Sequence, residues 1–146
     1  AIVDGKANLP VVGVRPVDAQ AYVAWRSELE GRSFRLPSEA EWALAAGAAL
    51  GYRMPNDAPG YRTNGEFTPP LKPAGEHIED ESPFGVRGLL ANARELVTSA
   101  LDDGAFLAKG AGVGDEPDEG AIYRLRQVGA DEQHRTTGFR IVQELP

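Results

Sequence analysis

The chain has 146 residues, no cysteine, 17 Gly, 11 Pro and a formal charge of −7. The missing cysteines exclude disulfides, thiolate nucleophiles, Cys-based zinc or iron–sulfur sites and dithiol redox cycles. The acidic balance excludes a phosphate-tracking surface as the main purpose, because nucleic-acid binding rests on dense Lys and Arg. No apolar run approaches the roughly 18 residues that span a bilayer, and no basic-then-apolar leader opens the chain. The expectation is one soluble, intracellular domain with a single core.

In chain order, Val11-Val12-Gly13-Val14 predicts a short strand ended by Pro16. Val17, Ala21, Tyr22, Trp25 and Leu29 recur at spacings of three to five and predict a helix from Pro16 to about Leu29. Pro16 suits its first position and Gly31 its exit, whereas Arg15 is a poor N-cap. Phe34-Arg35-Leu36 is an extended link to Pro37. Ser38-Glu39-Ala40-Glu41 has the Ser-x-x-Glu pattern of a capping box and predicts a second helix to roughly Ala49, closed by Gly51. Residues 52–83 are punctuated by Pro and Gly and predict a long loop, ordered by its aromatics Tyr52, Tyr61 and Phe67. Strands follow over Ala93–Thr98, Ala105–Lys109, Ala121–Val128 and Thr137–Leu145, with an Asp102-Asp103-Gly104 hairpin turn between the first two. Helices early and strands late predict an α+β arrangement.

Several blocks resemble the formylglycine-generating enzyme (sulfatase-modifying factor) family. These are Asp18-Ala19-Gln20-Ala21-Tyr22, Gly31-Arg32 followed by Phe34-Arg35-Leu36-Pro37-Ser38-Glu39-Ala40-Glu41-Trp42, Asn92-Ala93-Arg94-Glu95, and Thr137-Gly138-Phe139-Arg140-Ile141-Val142. The similarity runs in order from Pro10 to Val142. It implies a C-type-lectin-like α+β fold: two helices on a small, twisted antiparallel sheet with long ordered loops. It also implies core roles for Trp25, Trp42 and Phe139, and makes Arg35 and Arg140 internal struts paired with acidic side chains. Residues 1–146 are expected to form a single domain of this type that lacks the family's first strands.

The departures from the family pattern bear on chemistry. Catalytic members carry a cysteine pair shortly before the Gly-Phe-Arg, and Tyr123–Thr137 contains none. The iron-dependent sulfoxide synthases of this fold need a histidine cluster, and the chain has only His77 and His134. The resemblance implies a calcium site at Asn92 and Glu95, although Gly88, Ala91 and Leu96 replace the family's residues in that turn. A structural Ca²⁺ is the one cofactor it leaves.

Other constellations are weaker. Lys109-Gly110-Ala111-Gly112-Val113-Gly114 mimics a phosphate loop, but Asp115-Glu116-Pro117-Asp118-Glu119 follows it, and carboxylates repel phosphate. The glycines are therefore expected to form tight turns and the acidic run to be solvated, a hard cation being its alternative use. His77, between Glu76 and Glu79, reads as a solvated side chain, with a metal ligand or proton shuttle as the alternative. No Gly-x-Ser-x-Gly elbow is present.

The family's active-site face points to Tyr123, Arg124, Arg126, Gln127, Asp131, Gln133, His134 and Arg135, where guanidiniums would bind a carboxylate or an acidic partner. The expectation is a non-catalytic binding, regulatory or ligand-display module that takes a protein or small ligand there, with no nucleic-acid or membrane partner. Related domains are accessory modules of bacterial signalling kinases and proteases, or display scaffolds of retroelement-diversified receptors, so a bacterial cytoplasmic setting is expected. The alternatives are a metal-dependent oxidoreductase using His134 or His77, and a structural piece of a larger signalling protein.

Overall fold

A computed structural model describes residues 8–48, 71–76, 81–89, 92–102, 104–112, 115 and 123–145. Its elements are α1 (Pro16–Glu30), β1 (Phe34–Arg35), α2 (Glu39–Ala45), β2 (Arg94–Thr98), β3 (Phe106–Lys109), β4 (Leu125–Val128), β5 (Thr137–Phe139) and β6 (Val142–Gln143). The main sheet has the order β4-β3-β2-β5, and β1 pairs with β6 in a second, two-stranded sheet.

Alternation along the strands divides the core between two faces of the main sheet. Leu96, Phe106, Ala108 and Val128 meet Ala19 and Val23 of α1, together with Leu36. Val97 and Leu107 point the other way and meet Trp42 of α2 and Ala46 at its C-cap, together with Leu89. The sheet is thus covered by one helix on each side.

Helix α1 begins at Pro16, whose fixed φ suits the first turn, and ends at Gly31 in the left-handed conformation. Asp18 compensates for the weak cap at Arg15. Its carboxylate accepts from the Arg15 backbone N–H at 3.4 Å and from Nε and Nη2 of the same guanidinium at 2.8 Å each. The buried face, however, is Pro16, Ala19 and Val23 rather than the expected stripe. Trp25 is 52% exposed and Leu29 is 63% exposed. The expected core role of Trp25 is therefore corrected: small and β-branched side chains let the helix approach the sheet, and the large rings lie to one side of that contact. Tyr22 spans the boundary, edge-on to Phe139 with centroids 5.5 Å apart and 5.6 Å from the Trp25 ring.

The capping box of α2 forms as expected. Ser38 Oγ accepts from Glu41 N at 3.2 Å and Glu41 Oε2 accepts from Ser38 N at 2.8 Å. The helix is shorter than its sequence pattern suggests. It stops at Ala45, and Gly47 turns out of it with a φ of 78°. Ala49, Gly51 and most of the 52–83 loop lie outside the described residues.

The expected strand at 11–14 reduces to one bridge, Val12 with Gly138, because Gly13 at φ 72° bends the chain. The expected final strand splits into β5 and β6, which pair with different partners, β2 and β1. One pairing corrects the expectation of an antiparallel sheet. β5 runs parallel to β2, with Arg94 opposite Thr137 and Leu96 opposite Phe139. The reason lies in the route between β4 and β5. Val128, the end of β4, sits opposite Phe106, which in turn lies opposite Thr98 at the far end of β2. Residues 129–136 must therefore run back along the sheet before β5 can start beside Arg94.

Candidate functional site

Among the described residues, strand β4 is an edge of the main sheet. It pairs with β3 through Leu125–Lys109, Arg126–Ala108, Gln127–Leu107 and Val128–Phe106. Period-2 alternation follows from that register. Arg126 shares the α1 side with Val128, while Leu125 and Gln127 share the α2 side with Leu107. The α2 helix does not extend over them: Leu125 is 55% exposed, and Tyr123, just before the strand, is 61% exposed. Arg126, Gln127 and Arg135 are also exposed, and Arg124 is half-buried.

The segment after β4 is tied down at both ends. Gly129 N donates to Glu132 Oε2 and Glu132 N donates to Gly129 O, each at 2.9 Å, closing a turn. Val17 N donates to Ala130 O at 3.3 Å, and Gln133 Nε2 donates to Gly13 O, so the segment straps the entrance of α1. Thr137 N donates to His134 O at 3.1 Å, and Gly13 N donates to Thr137 O at 3.0 Å.

Within this strap, Glu132 Oε1 lies 2.7 Å from His134 Nε2 and 3.6 Å from Arg126 Nη2. The Gly129 N–H first, then the neighbouring His134 and Arg126, hold the Glu132 carboxyl below its ordinary range. Asp131 faces Arg15 at 3.5 Å. The structure therefore brings Arg126 and His134 together around Glu132. Gln133 bonds to Gly13 and Asp131 faces Arg15 while both stay exposed, and Tyr123, Gln127 and Arg135 lie outward as well. Two contributors were not foreseen: Leu125, whose signal is its alternation with Arg124 and Arg126, and Arg15, which no local pattern links to Asp131.

Asn92 and Glu95 have a different environment from the one the resemblance implies. Glu95 is buried in β2. Its Oε2 accepts from Trp42 Nε1 at 2.7 Å and from Arg140 Nε at 2.5 Å, and its Oε1 accepts from Arg140 Nη2 at 2.5 Å. Asn92 Oδ1 accepts from Lys72 N at 2.9 Å while its Nδ2 donates to Lys72 O at 3.0 Å. These two side chains do not fit a calcium ion, because a guanidinium already supplies the positive charge at Glu95. Among the described residues, no group of three or more His, Asp or Glu could hold a metal. Asp115, at the head of the acidic run, accepts from Gly112 N at 2.7 Å and pairs with Arg94. His77 and residues 116–119 lie outside the described residues.

The network at Glu95 joins three of the sequence blocks: Trp42 after the capping box, Glu95 of the Asn-Ala-Arg-Glu stretch and Arg140 of the Gly-Phe-Arg. Lys109, also buried, lies 5.6 Å from the centre of the Trp42 ring and 3.5 Å from Glu39. Arg35 grips Glu41 at 2.6 and 2.7 Å and Glu144 at 2.9 Å, but its side chain is 41% exposed, so it is a surface clasp rather than the internal strut expected. With a sheet between two helices and the Trp42–Glu95–Arg140 network inside it, the molecule is a C-type-lectin-like α+β domain of the formylglycine-generating-enzyme type.

The comparisons agree with that class. The chain matches the sulfatase-modifying factor enzyme 1-like domain over residues 1–145, and it belongs to that family. It is 32% identical over 143 residues to "Inactive C-alpha-formylglycine-generating enzyme 2" of Bos taurus, an alignment covering 83% of this chain and 44% of that protein. It thus spans less than half the length of that relative. Three solved structures share the fold. PvdO from Pseudomonas aeruginosa has a TM-score of 0.78 at 20% identity, covering 94% of this chain and 63% of that one. CarF has a TM-score of 0.76 at 18% identity, covering 98% and 71%. Treponema denticola variable protein 1 has a TM-score of 0.64 at 15% identity, covering 97% and 73%. Among the described residues, no helix is long and apolar enough to cross a membrane.

Proposed function

We propose that this chain is a non-catalytic member of its family that recognises a protein or small ligand through β4 and the strap behind it. One observation carries the reading: exposed Tyr123, Leu125 and Arg126 stand on a sheet edge whose inner side is paired to β3 and whose following segment is hydrogen-bonded to the start of α1. Aromatic and arginine side chains dominate binding hot spots, and a rigid support lowers the ordering cost of binding. The absent cysteines remove the oxidation that the family's catalytic members perform, and the bovine relative's name describes an inactive protein. The fold shared with a variable protein supports a display scaffold. In this reading the setting is bacterial and cytoplasmic.

The test is a photo-crosslinking amino acid placed at Tyr123 in cells, with one at Leu101 as an exposed control on the opposite turn. A discrete adduct from position 123 alone, lost on Arg126→Glu, is expected. Identical adducts from both positions, or none at 123, would contradict the reading.

A second reading, in which the chain is a structural piece of a larger signalling protein, is favoured by the exposed Trp25 and Leu29 on α1. The metal-dependent oxidoreductase alternative gains little here, because among the described residues Glu132 is the one carboxylate paired with His134.

A further inference from the structure

The two edges of the main sheet are finished differently. At β5 the outer edge is met by Val12, which bridges antiparallel to Gly138, and Gly13 N donates to Thr137 O at 3.0 Å. At β4 nothing among the described residues takes that place. Leu125–Val128 pair with Phe106–Lys109 on one side, and their other side has no backbone partner there. The path of the chain explains the difference. Residues 129–136 leave β4 for the opposite edge, where Arg94 N donates to Thr136 O at 2.9 Å.

In an antiparallel ladder, alternate residues turn N–H and C=O toward the neighbouring strand, and the residues between them turn theirs away. Two of the four β4 residues therefore present main-chain donors and acceptors along the edge. Such a row is complementary to a chain held in the extended conformation at a strand spacing of about 4.8 Å. A helix cannot pair with it, because its own backbone groups are already bonded along its axis.

Period-2 order also places the side chains of an added strand, alternately beside Arg126 on the α1 side and beside Leu125 and Gln127 on the α2 side. Leu125 is 55% exposed. The Arg126 side chain is 53% exposed, and the Glu132 oxygen facing it is 3.6 Å away, beyond hydrogen-bond length. That same oxygen lies 2.7 Å from His134 Nε2, and its twin accepts from Gly129 N. The Arg126 guanidinium makes no hydrogen bond among the described residues.

We propose that β4 takes an extended segment of an acidic protein as a fifth strand of the main sheet, with carboxylates beside Arg126 and apolar side chains beside Leu125. This rests on the β4 reading and names its partner. An arginine on the edge also opposes pairing between two copies of this chain, since charge on an edge strand discourages such association.

The test uses a capped six-residue peptide of alternating glutamate and valine, one residue longer than β4 at each end. It is added in the millimolar range to ¹⁵N-labelled protein. Comparison peptides carry lysine in place of glutamate, or a methyl group on every backbone nitrogen. Saturable shifts at Leu125–Val128 are expected, with amide exchange slowed about tenfold at saturation at two alternate residues of the four. The lysine peptide should bind about fivefold more weakly, Arg126→Glu should reverse that preference, and the methylated peptide should not saturate. Unslowed exchange at Leu125–Val128, equal binding of the methylated peptide, or an unchanged preference in Arg126→Glu would each overturn strand addition. The crosslink at position 123 reads the face by itself, so an adduct there without peptide binding defeats the added strand and leaves the broader reading in place.

Discussion

Glu95 meets Trp42 and Arg140, residues 53 positions before it and 45 positions after it. Its side chain is 10% exposed and that of Arg140 is 28% exposed, so the pair is largely shielded from solvent. Removing one partner of such a pair strands the other charge in the interior. Glu95→Ala is therefore expected to lower unfolding free energy by about 3 kcal/mol, read by urea denaturation. A change below about 1 kcal/mol would mean that the network is not structural. Gly138 works at the same scale. A Cβ there would run into the carbonyl of Val11, the backbone that bridges to it through Val12. Gly138→Ala should destabilise by at least about 1 kcal/mol and loosen the chain before α1, visible as faster amide exchange at Gly13. The glycine, phenylalanine and arginine of this block were legible as a motif. Their separate tasks were not, because each depends on a partner far away in sequence.

The helices show where periodicity is informative and where it is ambiguous. The limits of α1 follow from Pro16 and Gly31, and the start of α2 follows from the reciprocal bonds of Ser38 and Glu41. The buried face of α1 does not follow from the apolar pattern, because apolar residues cover more of the helix than the sheet can contact. Val23→Ala should cost about 1–2 kcal/mol, whereas Trp25→Gln should stay within about 0.5 kcal/mol, by the same denaturation measurement. Glu41 adds a pH dependence. Hydrogen bonds from Arg35 first and the Ser38 N–H second hold its carboxyl at about 2, below the usual 4.5. A depressed carboxyl stabilises the fold at pH values above 4.5, and that stabilisation disappears as pH falls from 4.5 through 2. Glu144 is shifted in the same direction by Ser33 and Arg35. The melting temperature should fall over that window, and the fall should be shallower in Glu41→Gln. Equal slopes for the two proteins would remove Glu41 from the account.

At the scale of the whole molecule, the α+β class and the positions of β2, β3 and β4 were legible from local pattern, since each is a short β-rich run between turn residues. The parallel placement of β5 was not. It is decided by the path of residues 129–136 back along the sheet, which carries no local signature. That path gives the binding face its character. The strap anchors itself to the start of α1 through Gln133, Ala130 and Thr137, which leaves β4 as a supported edge with outward side chains. Of the expected site residues, Tyr123, Arg126, Gln127, Asp131 and Arg135 lie on the outside, while Gln133, also exposed, ties the strap to Gly13. The face and the interior network are thus distinct parts of the molecule. A Tyr123→Ala, Arg126→Glu, His134→Ala variant tests this separation most directly, compared with the unmodified chain for melting temperature and for binding of the partner crosslinked at position 123. The account predicts a melting temperature within about 3 °C of the original together with loss of binding. Retained binding by the folded variant would contradict it.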